Sequence, residues 1–309
     1  MSGWRAGLVA VALGAVVLGV GWFLNRPDAG DPSTTTDPVI ASDLRLACSP
    51  AFTVVCEELA TRNGLAPPIG YSINDPVPAD AVVIGFAGDL APEATAFARS
   101  PIAIGVWAEK SGTLENACGE VDAACLVEQA GTPWVDIGGS SDWGAVRLGL
   151  ADPETGIADQ EAWKRIAAQN PASGFGQFVP LKQTTDGNVW SEMVLFPSRA
   201  DIVVSSEVAI GSQLENARVR AGRVRVYYPD PTPFLPVAAI GEGRAAASFI
   251  ESLTTPENQA LLGSLGLRPL TGAPVNLMQD LGTPGAEAAG VTEAEKTTLI
   301  ASWNSLIGS

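Results

Sequence analysis

Histidine is absent from all 309 residues of the chain. That removes the commonest general base, the usual nitrogen ligand for metals, and every Ser-His-Asp or Cys-His arrangement. Cations are scarce as well: 18 Lys and Arg stand against 34 Asp and Glu, for a formal charge of -16. Such an excess repels nucleic acid and anionic lipid, both of which need a basic footprint. It leaves room for a small anion, because backbone N–H groups bind anions without Lys or Arg. There is no G-x-S-x-G, no G-x-G-x-x-G and no P-loop, so no cofactor is expected. Asp and Glu are plentiful, but no pair stands out as an acid/base couple. Together these absences argue against an enzyme.

What is present is a foldable chain with an unusual start. Hydrophobic residues make up 46% of it, too many for a disordered polymer, and the length suits two medium lobes or one large domain. Residues 1–6 carry one cation, Arg5, and residues 7–24 form an uncharged apolar run of 18. At about 1.5 Å per residue, that run is just long enough to span a bilayer core. Trp4 and Trp22 sit at its ends, where interfacial aromatics belong. A cleaved signal peptide is the competing reading, but it calls for a shorter apolar run and a small-x-small site. Trp22, Phe23, Leu24, Asn25 and Arg26 follow instead, which favours an uncleaved anchor over 1–24. Orientation is weakly encoded: Arg5 and the terminal amine oppose Arg26, which Asp28 and Asp31 dilute. Residues 25–42, rich in Pro, Asp, Ser and Thr, read as a linker.

Four cysteines pair by spacing as Cys48 with Cys56 and Cys118 with Cys125. Even number and short separations suit two disulfides in an oxidising compartment, and so place the globular part outside the cytoplasm. Four buried free thiols are the alternative. An all-cysteine zinc site would need both pairs to converge, and no metal site is expected.

Past residue 43 the pattern alternates strand and helix. Strands are expected at 44–47, 81–86, 102–107, 201–205, 223–228 and 237–240. Helices are expected from Ser49 and Pro50 to Asn63, stopping at Gly64, and at 92–98, 159–168, 207–216, 244–253 and 256–265. Asp159 is the expected cap of the third of these seven helices. The seventh and last opens on a Thr292–Glu295 capping box, with Val291, Leu299, Trp303 and Leu306 toward its packed side. Four prolines within 229–236 mark an irregular crossing. Alternation of this kind gives an α/β architecture with mainly parallel sheets.

Several stretches then carry a likeness. They are Leu44-Arg-Leu-Ala-Cys-Ser-Pro50, Ala98-Arg-Ser-Pro-Ile-Ala-Ile-Gly-Val106, Leu148-Gly-Leu-Ala-Asp-Pro153, Asp201-Ile-Val-Val-Ser-Ser-Glu207 and Val226-Tyr-Tyr-Pro229. Residues 236–240 follow, with Ala245-Ala-Ala-Ser-Phe249, Thr255-Pro-Glu-Asn-Gln-Ala260 and Gly266-Leu-Arg-Pro269. Scattered across 43–272, they resemble type II extracellular (periplasmic-type) solute-binding proteins. The likeness is to the substrate-binding half of actinobacterial proteins that join this module to a von Willebrand A domain, and more distantly to molybdate-binding proteins. The resemblance implies a two-lobed periplasmic-binding-protein-like α/β fold. Lobe one would be 43–104 plus 232–285, lobe two 105–231, and residues 286–309 a C-terminal helix packing on lobe one. It implies a small polar or anionic ligand held in the cleft, hinge closure, and delivery to the permease of an ABC-type transporter. The cleft agrees with the general rule that open α/β sheets bind ligands beyond the carboxyl ends of their strands.

The ligand-binding candidates follow from that placement. Ser49 ends the first strand, where a hydroxyl and the following amides suit an oxygen ligand or a plain helix cap. Gly85, Gly88 and Asp89 form the next strand-end loop, where glycines allow close approach or serve turn chemistry. Thr155 and Gly156 precede the lobe-two helix, as site or solvated loop. Ser205 and Ser206 end the lobe-two strand, as ligand donors or caps, and Tyr228 is a candidate wall or a core aromatic. Two things depart from the molybdate pattern: a second lobe-one serine motif is missing, and two cysteine pairs are added. A non-transport structural or sensory partner of a membrane complex is the other reading. Arg218, Arg220, Arg223 and Arg225 form the one basic cluster and read best as a solvated strand face. Trp134 and Trp143 flank Gly138-Gly-Ser-Ser-Asp142, which reads as an anchored loop before a stacking platform.

Overall fold

A computed structural model describes residues 43–72, 75–76, 78–169, 178–181, 193–194, 198–216, 224–270 and 284–307. The expected anchor at 1–24, the linker at 25–42, and Arg218, Arg220 and Arg223 lie outside them. Among the described residues no helix is long and apolar enough to cross a membrane.

The chain runs β1 (Arg45–Cys48), a 3₁₀ turn (Pro50–Phe52), α1 (Thr53–Arg62), β2 (Ile69–Gly70), β3 (Ala81–Phe86) and β4 (Thr95–Trp107). Then come α2 (Ala108–Cys118), α3 (Ala123–Gln129), β5 (Leu148–Ala151), α4 (Ile157–Ala167), β6 (Phe178–Leu181), β7 (Ile202–Ser206) and α5 (Glu207–Asn216). It closes with β8 (Val224–Tyr227), β9 (Thr232–Ile240), α6 (Gly243–Ser252), α7 (Pro256–Ser264), β10 (Arg268–Pro269), β11 (Glu287–Ala288) and α8 (Glu293–Ile307).

Two sheets share one strand. In the first, β2, β1 and β3 are parallel, β9 runs antiparallel to β3, and β4 runs antiparallel to β9. In the second, β4 pairs antiparallel with β7 and β8, while β7, β5 and β6 are parallel. The handover lies inside β4: Pro101 is its last residue in register with β9, and Ile102 the first in register with β7. The sheets are therefore mixed rather than mainly parallel, because the chain crosses between them on β4.

β3 shows why the first sheet forms. All six of its residues are buried, as a continuous apolar run predicts for a strand covered on both faces. Val82, Ile84 and Phe86 face one core with Phe52, Leu59 and Phe249, whereas Ala81 and Val83 face another with Ala47 and Tyr71. This is period-two alternation with helices on the larger face.

Two expectations fail in adjacent strands. Residues 92–98 were expected to be helical, but 95–98 open β4, and Phe97 is 1% exposed. Helix propensity is a weak prior, and pairing with β9 overrides it. Residues 229–236 were expected to be irregular, but Thr232 already starts β9. Its prolines are tolerated because β3 pairs with β9 only from Val237 onward, so Pro233 and Pro236 meet no β3 backbone.

Local signals fared better. The first helix begins with the 3₁₀ turn and ends at Asn63 before Gly64, whose φ is 64°. Thr255 caps α7 through the Asn258 N–H. Thr292 and Glu295 form the capping box, with Thr292 N–H donating to Glu295 Oε2 at 2.8 Å and Glu295 N–H to Thr292 Oγ1 at 3.3 Å. Both cysteine pairs are disulfides, with Cα–Cα separations of 6.5 Å for Cys48–Cys56 and 5.6 Å for Cys118–Cys125. That sets aside free thiols and zinc.

The C-terminal helix, expected on lobe one, lies against α4 in the 105–231 stretch. The Trp163 and Trp303 rings meet edge-on at 5.4 Å, and Trp163 Nε1 donates to Ser302 Oγ at 2.9 Å. Lys164 Nζ donates to Glu295 Oε2 at 3.0 Å, and the Val291 N–H donates to Glu161. Burial raises the Glu161 pKa, against the pull of the Val291 amide and Arg165.

Asp201 organises the second sheet. It is fully buried and accepts from Lys110 Nζ (2.5 Å), Arg147 Nη2 (2.6 Å), the Arg147 N–H (2.9 Å) and Trp134 Nε1 (3.2 Å). Lys110 lies 5.5 and 5.6 Å from the Trp134 and Trp143 rings, which meet at 90°. The tryptophan loop is thus a packed anchor. A Cβ on Gly139 would sit 2.9 Å from Trp134 O and 3.0 Å from the Trp143 ring. Burial alone would raise the Asp201 pKa, but the bonds from Arg147 and Lys110 reverse that and hold it below the usual range. A depressed carboxylate contributes stability above its unfolded pKa of about 3.9, and loses it as pH falls through the folded value. Asp201→Asn leaves Lys110 buried without a countercharge. It should cost about 3–5 kcal/mol, read as a lower urea midpoint at neutral pH, with the difference from wild type shrinking under acid.

Candidate functional site

The parallel strands aim their carboxyl ends at one region. β1 and β3 deliver Ser49 and the loop Ala87–Asp89, while β5 and β7 deliver Thr155, Gly156, Ser205 and Ser206. The turn Pro50–Phe52 lies against α5, so strand ends of the two sheets meet.

The tightest meeting is at Asp89. Its Oδ1 accepts from the Ile157 N–H at 2.7 Å, the first amide of α4. Gly156 is the cap residue of α4 and makes no side-chain bond, and its φ of 165° is extended backbone open to any residue. The glycine is there for space: a Cβ would stand 3.0 Å from Asp89 Oδ2. Gly88 does the same from the other side, where a Cβ would meet Ile157 Cγ1 at 3.0 Å. The expected cap at Asp159 is therefore corrected. The helix starts two residues earlier and is capped by a carboxylate from 68 residues away. Asp159 instead meets Thr155, whose Oγ1 lies 2.5 Å from Asp159 Oδ2 and 2.5 Å from Asp152 O. That hydroxyl closes its own turn.

The other candidates divide. Ser49 occupies the cap position of the turn without a side-chain cap bond, and its Oγ lies 3.7 Å from where a Gly85 Cβ would be. Gly85 is a buried strand residue in register with Ala238. Ser205, 4% exposed, faces Ala103 in register, and Ser206, fully buried, faces Ile102. Ser206 Oγ has no hydrogen-bond partner among the described residues. The N-terminal turn of α5 is capped from elsewhere, by Ser100 of β4, whose Oγ accepts from the Val208 N–H at 3.0 Å.

Tyr228 belongs to a buried polar cluster that sequence reasoning did not assemble. Arg268 donates to Glu207 Oε2 through Nη2 (2.8 Å) and Nε (3.1 Å), and to the Tyr228 hydroxyl at 3.3 Å. The guanidinium carbon lies 5.5 Å from the Tyr228 ring centroid. Arg268 sits on β10, paired with β4 in the first sheet, and Glu207 opens α5 in the second, so the pair joins the two. Burial raises the Glu207 pKa against the pull of Arg268, and burial beside Glu207 raises that of Tyr228. Glu207 Oε1 has no hydrogen-bond partner among the described residues. The available clues were Gly266-Leu-Arg-Pro269 and the acidic residue after Ser206. Arg225, the described member of the basic cluster, pairs with Glu115 at 3.1 Å on an exposed face.

No family model matches the chain, and no curated protein matches it. Solved structures do. The periplasmic binding protein P5PA superposes with a TM-score of 0.55 at 11% identity, over 85% of this chain and 99% of that one. The Trichodesmium protein IdiA (FutA), solved with iron and citrate, gives 0.53 at 12% identity over 85% and 99%. The substrate-binding protein of an ABC transporter from Agrobacterium tumefaciens gives 0.51 at 14% over 89% and 96%. At these identities the likeness is one of fold. The chain has the mixed α/β fold of periplasmic solute-binding proteins.

Two outcomes follow from the site. Arg268→Ala strands the Glu207 carboxylate at 1% exposure and should cost about 3–5 kcal/mol, read from the urea midpoint. Desolvation raises the Asp89 pKa from 3.8 to about 6, against the Ile157 amide and Lys296. The folded state thus holds this proton more tightly than the unfolded chain. The contribution of Asp89 is unfavourable above pH 6 and is relieved as pH falls from about 6 toward 4. Asp89→Asn, which keeps an acceptor oxygen, should be more stable than wild type by about 1–3 kcal/mol at pH 7.5. The gap should close by pH 4 in paired denaturation curves.

Proposed function

We propose that the chain is an extracytoplasmic solute-binding protein, not an enzyme, held to the membrane by its N-terminal apolar segment. In this reading the two sheets are the cores of two lobes, 43–104 with 232–285 and 105–231. A small polar or anionic solute binds where strand ends meet, and the loaded protein docks on an ABC-type permease. The observation that carries the reading is the convergence of β1, β3, β5 and β7 ends, with the first turns of α4 and α5, on one interface. Helix N-termini and glycine-spaced loops at such a junction suit oxyanion or hydroxyl recognition. Two structures of the same fold, a periplasmic binding protein and the substrate-binding protein of an ABC transporter, support it. The kinship to actinobacterial von Willebrand A fusions, and more distantly to molybdate binders, is part of the proposal.

One observation favours a second reading. The positions a solute would take are met by the chain's own groups: Asp89 caps α4, and Arg268 is engaged by Glu207. A non-transport structural or sensory partner of a membrane complex would keep the fold and lose the ligand.

Thermal unfolding of the full chain in detergent, against oxyanions, phosphate esters, amino acids, sugars and metal chelates, separates the two. A solute at about 100 times its Kd adds about 2.7 kcal/mol. For a chain of this size that raises Tm by roughly 5–10 °C. A shift confined to one chemical class supports the receptor and names its solute class. A flat response across the panel supports the partner protein.

A further inference from the structure

We infer that Asp89 is a self-latch: the carboxylate of the β3-end loop docks on the N-terminus of α4 and closes the junction of the two sheets. Three features make this a built contact. The Ile157 N–H donates to Asp89 Oδ1 at 2.7 Å, one of the first-turn amides that a helix leaves without an internal partner. Gly156, in extended backbone open to any residue, leaves room for Asp89 Oδ2, which a Cβ would approach to 3.0 Å. Gly88 leaves room for the Ile157 side chain, which a Cβ would approach to 3.0 Å. A chain selected only for a sound α4 start would cap it locally, as Thr255 caps α7.

The contact also sits under a strap. α8 leaves the junction after β11, which pairs with β9, and runs along α4 through Glu295–Lys164 and Trp303–Trp163. It carries Lys296 close enough to Asp89 to act on its charge. The rest of α4 is therefore held whether or not Asp89 is docked, and the latch can open without unfolding the helix. A solute at this helix terminus must first displace Asp89. That consequence rests on the receptor reading above, while the latch itself does not.

Amide hydrogen exchange of the full chain, without any solute, tests it. Asp89→Ala should speed exchange at the Ile157 amide about tenfold or more. Residues 163–167, under α8, should stay as protected as in wild type. Asp89→Asn keeps an acceptor oxygen and should retain the protection. Gly156→Ala keeps the carboxylate but crowds it, and should release the amide as Asp89→Ala does. Unchanged Ile157 exchange in Asp89→Ala overturns the latch. If Asp89→Ala also exposes 163–167, the other two variants decide: release in Gly156→Ala with retention in Asp89→Asn upholds it, and any other pattern overturns it. None of these readouts uses a solute, so the latch and the receptor reading fail separately.

Discussion

The shared strand β4 is the constraint on which everything else depends. Thirteen residues belong to both sheets, 95–101 to the first and 102–107 to the second. The handover at Pro101 is a natural break, since proline has no N–H to give to a ladder. Because β4 is continuous, the position of one sheet's strand ends fixes that of the other's. Ser100, one residue before the handover, adds a direct tie by capping the first turn of α5. Arg268 on β10 adds another, reaching from the β4 edge of the first sheet to Glu207 in the second. Helix starts, strand ends and a buried ion pair all gather on one short length of β4.

Where the information was local, the sequence was readable. The six apolar residues of β3, the Thr255-Pro256 start of α7 and the Thr292–Glu295 box each declare their structure within a few positions. The resemblance also offered Gly88, Asp89 and Gly156 as ligand-binding candidates, and the structure places these three against one another at the start of α4. What was illegible was non-local. Residues 92–98 read as helix, and only β9, some 140 residues later, makes 95–98 a strand. The start of α4 was misplaced because its acceptor comes from Asp89 rather than from its own turn. Arg268 and Glu207 lie 61 residues apart with no pattern linking them. A buried pair of that kind is visible only once the fold has closed.

Charge decides what chemistry the junction can offer. Arg268 already faces a carboxylate, Glu207, and Lys296 acts on the charge of Asp89. In the receptor reading, an anionic solute would meet the first amides of α4. If it binds at α4 it exchanges one carboxylate for another group of like charge. The helix terminus then contributes little to the net affinity, since the Asp89 contact is lost as the new one forms. Selectivity in that reading would come from what Asp89 cannot supply: a shape that fits between Gly88 and Gly156. The desolvation that raises the Asp89 pKa works in the solute's favour, because a carboxylate released to water recovers its hydration. A latch that is costly to keep charged is one that a modest ligand can open.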